Sequence, residues 1–153
     1  MGLIYTVQRN NVAISTTADF LALQAGLARA FRILEITIGG LGTASAANTL
    51  GIYRPTTLGV TSSVPVVPER QHPALPAPAF TATTAWATQP TLGAPLLLIP
   101  ANANGGAFRW VAQQGQQLEV QGQPAANTIA SALSFRAALG SSPISFHVVI
   151  EEF

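Results

Sequence analysis

The side chains able to do chemistry are few and far apart. The chain has two histidines, His72 and His147, one aspartate, Asp19, and no cysteine. A hydrolytic site needs a nucleophile, a base and an acid that orients the base. No serine sits in a G-x-S-x-G turn. His147 lies between Phe146 and Val148 in an alternating segment, so it projects from the face opposite theirs. His72, between Gln71 and Pro73, reads as a loop residue that makes a local hydrogen bond. Metal binding needs several ligands at characteristic spacing, and these residues are too scattered to supply them. Glu151 and Glu152 point to opposite faces of a strand and read as a charged end that keeps an edge soluble. Gly39-Gly40-Leu41-Gly42 lacks the Lys-Ser/Thr of a phosphate loop and reads as a plain turn. Trp86 and Trp110 are the best candidates for ligand contact, by stacking on a sugar, and Arg109 beside Trp110 suits a cation–π pair at an interface. The expectation is no enzyme: no catalytic residue, no cofactor site and no metal ligand.

The elements that would position these residues read as strands. LIYTVQR (3–9) puts Leu3, Tyr5 and Val7 on one face. Asn10-Asn11 signals a turn, with VAIS (12–15) after it. FRILEITIG (31–39) is rich in β-branched residues. TLGIYRPTTLGV (49–60) is broken by Pro55, which predicts an edge or a bend. AFTATTAWAT (79–88) places Phe80, Ala82, Thr84 and Trp86 together. QQLEVQG (116–122) sets Leu118 and Val120 on one face. IASALSFRAAL (129–139) opposes Ile129, Leu133, Phe135 and Leu139 to Ala130, Ala132, Ser134 and Arg136. ISFHVVIEEF (144–153) turns Ile144, Phe146, Val148 and Ile150 inward. The stretch 16–34 admits a helix capped by Thr17, but strand–turn–strand, DFLALQA then AFRILEITI, suits its surroundings better. Residues 61–78 carry five prolines and predict an extended arm or long loop, reaching a neighbouring subunit or packed on its own domain. PANANGGA (100–107) reads as a loop tip. The whole predicts an all-β fold, a jelly-roll-like antiparallel β-sandwich in one domain over 1–153, with an immunoglobulin-like sandwich as the rival arrangement.

Composition points to assembly. Only 8% of residues are charged, against about 25% in an average soluble domain, and all seven cations are arginine. A lone monomer needs a charged surface to stay dissolved, and Arg is enriched at interfaces where Lys is depleted. Net charge is +1, with no basic run, so nothing favours nucleic acid. No segment is long and apolar enough to span a bilayer, and the N-terminus lacks the pattern of a signal peptide.

The opening GLIYTVQRNNV, with Gly2, Ile4, Tyr5, Thr6, Val7, Asn11 and Val12, the middle with Val64, Pro65 and Pro68, and the alternating final strand closed by Glu151 and Glu152 resemble a group of small proteins encoded in tailed-phage and prophage genomes. The resemblance covers most of the chain in order. It departs after Phe80, where those proteins tend to have an Asn-Thr-Thr run and paired glycines, and at 127–132, which looks like an insertion. It implies a virion structural protein with no enzyme activity to carry over. The leading expectation is a capsid decoration (cement) protein, a homotrimer that binds the major capsid protein on the outer shell. The alternative is a receptor- or glycan-binding module of a tail fibre or spike, using Trp86, Trp110, Tyr5 or Tyr53.

Overall fold

Alternating apolar residues put one face of each long strand against an opposing sheet. The computed structural model describes residues 2–27, 29–60, 64–84, 86–122 and 131–153. Its strands are β1 (Leu3–Val12), β2 (Asp19–Gln24), β3 (Phe31–Gly40), β4 (Ala47–Thr57), β5 (Pro65–Val66), β6 (Glu69–Arg70), β7 (Thr81–Thr83), β8 (Thr91–Asn102), β9 (Ala107–Val111), β10 (Leu118–Val120), β11 (Ala132–Leu139) and β12 (Ile144–Glu152). Among the described residues there is no α-helix, and within 16–34 lie strand β2 and the start of β3.

The chain folds as a nested set of antiparallel pairs. β1 pairs with β12, β2 with β11, β3 with β9 and β10, and β4 with β8. The first sheet has the order β10-β3-β12-β1-β6, with β9 also on β3, and the second β5-β7-β2-β11-β4-β8. This is the jelly-roll arrangement: a long hairpin of paired strands rolled so that successive pairs alternate between two sheets. Inward residues of both sheets meet in one core, where the ring of Phe20 packs edge-on or tilted against Phe135 and Phe146, and that of Phe80 against Tyr5 and Phe31. Ile144, Phe146, Val148 and Ile150 all face it, as their alternation requires.

Several local expectations are corrected. Asn10-Asn11 does not end a strand; β1 runs through it with a bulge between Arg9 and Val12, and Asn11 takes φ 53°. Asn tolerates that left-handed conformation, so a turn-forming residue serves a bulge equally well. Pro55 lies in a strand paired on both sides, but β11 stops pairing at Tyr53 and register shifts flank the proline. The missing N–H therefore breaks no ladder. Gly39 and Gly40 end β3 instead of forming a turn, and a side chain at Gly40 would strike the carbonyls of Asn102 and Ala103. β7 stops at Thr83, so Thr84 and Trp86 leave the alternation. Leu139 is exposed because a register shift after Ala137 turns it outward. Ile129 and Ala130, and 127–130 of the apparent insertion, lie outside the described residues. β8 and β9 had no strand signal, β8 because Pro95 and Pro100 mask it. Both prolines sit on an edge strand, where a nitrogen without a proton can face the open side.

The proline-rich segment packs on its own domain. Residues 61–63 lie outside the described ones, but 64–78 crosses from one sheet to the other. β5 pairs with β7 in the second sheet, and β6 pairs with β1 in the first. The Tyr5 hydroxyl donates to the Pro76 carbonyl at 3.0 Å. The segment is a strap across the side of the sandwich, not a free arm.

Candidate functional site

The few charges hold segments of the fold together. Glu152 is buried at 1% exposure, although it ends the chain's last strand. β12 lies between β1 and β3, so its final residue still faces the interior, and the reading of Glu152 as part of a soluble edge is overturned. Its Oε1 accepts the backbone N–H groups of Ala79 at 2.8 Å and Phe80 at 3.1 Å, and Oε2 accepts from Arg29 Nη1 at 3.2 Å. One carboxylate thus anchors the strap's far end to the last strand. Burial raises the pKa of the neighbouring Tyr5 phenol, and the charge of Glu152 raises it further. Glu151, one residue earlier and half-buried on the outer face, meets Arg32 at 2.7 Å.

A second buried carboxylate sits on the other sheet. Asp19 begins β2 and lies opposite Arg136 of β11. Arg136 Nε donates to its Oδ1 at 2.7 Å, and Trp86 Nε1 donates to its Oδ2 at 3.1 Å. Gln89 accepts the Asp19 N–H at 2.9 Å. The 86–90 loop is thereby closed over the outer face of the second sheet. Burial pushes the Asp19 carboxyl up, against the opposing pull of the Ser134 hydroxyl, Arg136 and Trp86.

Both tryptophans therefore serve the fold. Trp86 is half-buried and bonded to Asp19, and Trp110 packs against the core from β9. Neither forms an open stacking platform. Tyr5 is buried, and Tyr53 is half-buried with its ring against Gly51. Arg109 does not stack on Trp110. It forks onto Glu35 at 2.8 and 2.6 Å, which holds the Glu35 carboxyl below its ordinary pKa. Arg32 is the cation found over a ring, 5.2 Å from the centre of Phe153. His72 lies exposed on the strap, its Nδ1 accepting the Ala74 N–H at 3.2 Å, the local bond expected of it. Among the described residues no three His, Asp or Glu side chains converge as metal ligands.

Two surfaces stand outside these clamps. The first is a border along one side of the sandwich. β8 is the last strand of its sheet and packs near β3, and a short loop carries the chain on to β9 on the other sheet. Thr91–Asn102 has no charged residue, and Leu96 is 43% exposed and Leu98 49%. Phe108 and Val111 of β9, on the other sheet, are exposed at 37% and 50%, Phe108 sharing the parity of Trp110 and Val111 that of Arg109. The second surface is the outer face of the first sheet. Register sets Gln8, His147, Thr37 and Arg109 in one row across four strands. Beside the row, Gly39 and Ala107 offer little side chain, which leaves a depression of about 530 Å³ lined also by Arg9, Asn10 and Ser145. Periodicity had placed His147 outward. Its company comes from strands far away in sequence, and no local signal announces it.

Comparison with protein-family models and with curated proteins finds no match.

Proposed function

We propose that the chain is a virion structural protein of a tailed phage: a decoration protein that self-associates, with a trimer the expected form, and binds the major capsid protein on the outer shell. The border of Leu96, Leu98, Phe108 and Val111 carries this reading. Four large apolar side chains of the neighbouring strands β8 and β9 are exposed in a small domain whose charges are mostly tied up in ion pairs. Burying one such side chain contributes about 1.5–3 kcal/mol, so copies joined through this border would gain enough to associate. Repetition around a symmetry axis then multiplies weak shell contacts through avidity. The rigid jelly roll lets each copy bridge capsid subunits as a solid block and oppose outward pressure. The strap is part of that block and leaves attachment to the border. The chain does no catalysis in this role.

Two measurements test it. The isolated protein is expected to sediment as an oligomer at micromolar concentration, and a stable monomer there would count against the reading. Labelled antibody on assembled particles is expected to mark hundreds of positions over the head. A handful of marks at the tail tip would instead support the adhesion module.

A further inference from the structure

The depression on the outer face of the first sheet gathers polar side chains that have no partner inside the fold. Its floor crosses β12 and β3, whose backbone groups are paired to strands on both sides. An extended peptide binds by adding main-chain hydrogen bonds at a sheet edge, and this floor has none to offer. A ligand here meets side chains. Gln8 and His147 are cross-strand partners on the outward parity of β1 and β12, and Thr37 of β3 follows His147 in the same row. Gln8, Asn10 and His147 line the depression and make no side-chain hydrogen bond among the described residues. The Thr37 hydroxyl donates to Glu35 at 3.2 Å and the Ser145 hydroxyl to the Gly39 carbonyl at 3.5 Å, which leaves both hydroxyl oxygens able to accept. Ala107, Gly39 and Ser145 form the next row, so a small apolar patch lies beside the polar one. The volume of about 530 Å³ falls in the range of small-molecule sites.

The pattern of donors and acceptors narrows the class. No carboxylate lines the depression. Arg109, at the end of the polar row, is closed by its fork onto Glu35. Arg9 borders the depression but is the register partner of core-facing Phe146, on the parity opposite to Gln8. The row is therefore neutral, and its carboxamide and imidazole groups both donate and accept. A carboxylate ligand only accepts and an ammonium only donates, so either would leave part of the row unmatched. A hydroxyl does both. A sugar ring carries several hydroxyls at its edge and C–H groups on its face, which suits a polar row beside Gly39 and Ala107. We propose that this depression binds a neutral hexose, its hydroxyls on the Gln8–His147–Thr37 row and its ring against Gly39 and Ala107. Binding is a property of the single folded chain and stands or falls separately from the virion role.

The test is a titration of isotope-labelled protein with galactose, glucose and mannose in turn, followed by backbone amide chemical shifts. Galacturonic acid is the charged comparison probe. Saturable shifts at Gln8, Thr37, Ser145 and His147 are expected with at least one of the three hexoses, and galacturonate is expected to bind no more tightly than galactose. Gln8→Ala removes one partner of the row and is expected to weaken binding by about two- to tenfold, the range for one net hydrogen bond. Ala107→Trp fills the depression from an exposed position on an edge strand and is expected to abolish the shifts. Gln113→Ala, exposed in the loop after β9 and outside the depression, is expected to bind as wild type does. The dispersion of the amide spectrum checks that each variant is folded. The absence of saturable shifts with all three hexoses overturns the proposal. So does galacturonate binding tenfold more tightly than galactose, which would mean that charge is read. Unchanged binding in folded Ala107→Trp, or an equal loss in Gln8→Ala and Gln113→Ala, would place the sugar elsewhere and overturn it as well.

Discussion

The two sides of the sandwich are built by opposite rules. On one side the strap is tied down by Glu152, which takes two backbone N–H groups and Arg29, and by Tyr5, which bonds the Pro76 carbonyl. On the other side β8 and β9 end the sheets with Leu96, Leu98, Phe108 and Val111 in the open. Buried polar groups are costly unless fully partnered, so the strap side has a specified geometry and one arrangement of its segments. Apolar contacts are non-directional, so the border can accept another surface without being shaped in advance. The contrast separates stability from association, and substitutions can probe each alone.

The largest effect is expected at Glu152. Glu152→Ala leaves two N–H groups without an acceptor on the buried side and is expected to lower folding stability by about 2–4 kcal/mol, from the two unsatisfied donors. Denaturant unfolding measures it; a loss below about 1 kcal/mol would mean that the strap is held by its apolar contacts. Tyr5→Phe removes one buried hydrogen bond and is expected to cost about 1 kcal/mol by the same measurement.

Asp19 tests the second clamp through pH. Its folded carboxyl titrates above the ordinary value, so in that window the native state holds a proton that the unfolded chain has released. Stability from this group therefore falls as pH rises through the folded pKa, and grows on acidification until the unfolded carboxyl also protonates. Asp19→Asn keeps the shape and removes the titration. The difference between wild type and Asp19→Asn, followed by denaturant unfolding from pH 7 downward, should shift in the wild type's favour. A difference that moves the other way would mean that Arg136 dominates over burial.

The smallest effect on stability is expected at the border. Leu98→Glu alters an exposed side chain on an edge strand and should change folding stability by no more than about 0.5 kcal/mol. It should nevertheless shift sedimentation toward monomer. If stability falls and the oligomer persists, Leu98 belongs to the domain's own packing and the contrast between the two sides is lost.

Much of this fold was legible in the residues. The period of two in Ile144, Phe146, Val148 and Ile150 set the inward face of β12, and Phe31 to Gly39 announced β3 through its β-branched residues. Where the reading failed, a local signal had two structural uses. Asn10-Asn11 served a bulge, and the prolines of β8 sat on an edge. Trp86 lay in a pattern that tertiary contacts broke when its indole turned to Asp19.

What the sequence settled alone was the strand periodicity and the scarcity of charge, because these depend on residues two places apart or on composition. Tertiary structure decided which carboxylates are buried, where the strap lies and which side chains share the polar row. Glu152 meets Ala79, Asp19 meets Arg136, and Gln8 meets His147. Such partners come together only when the long hairpin rolls up, and the period-two pattern that builds each strand carries no record of which strand will lie beside it.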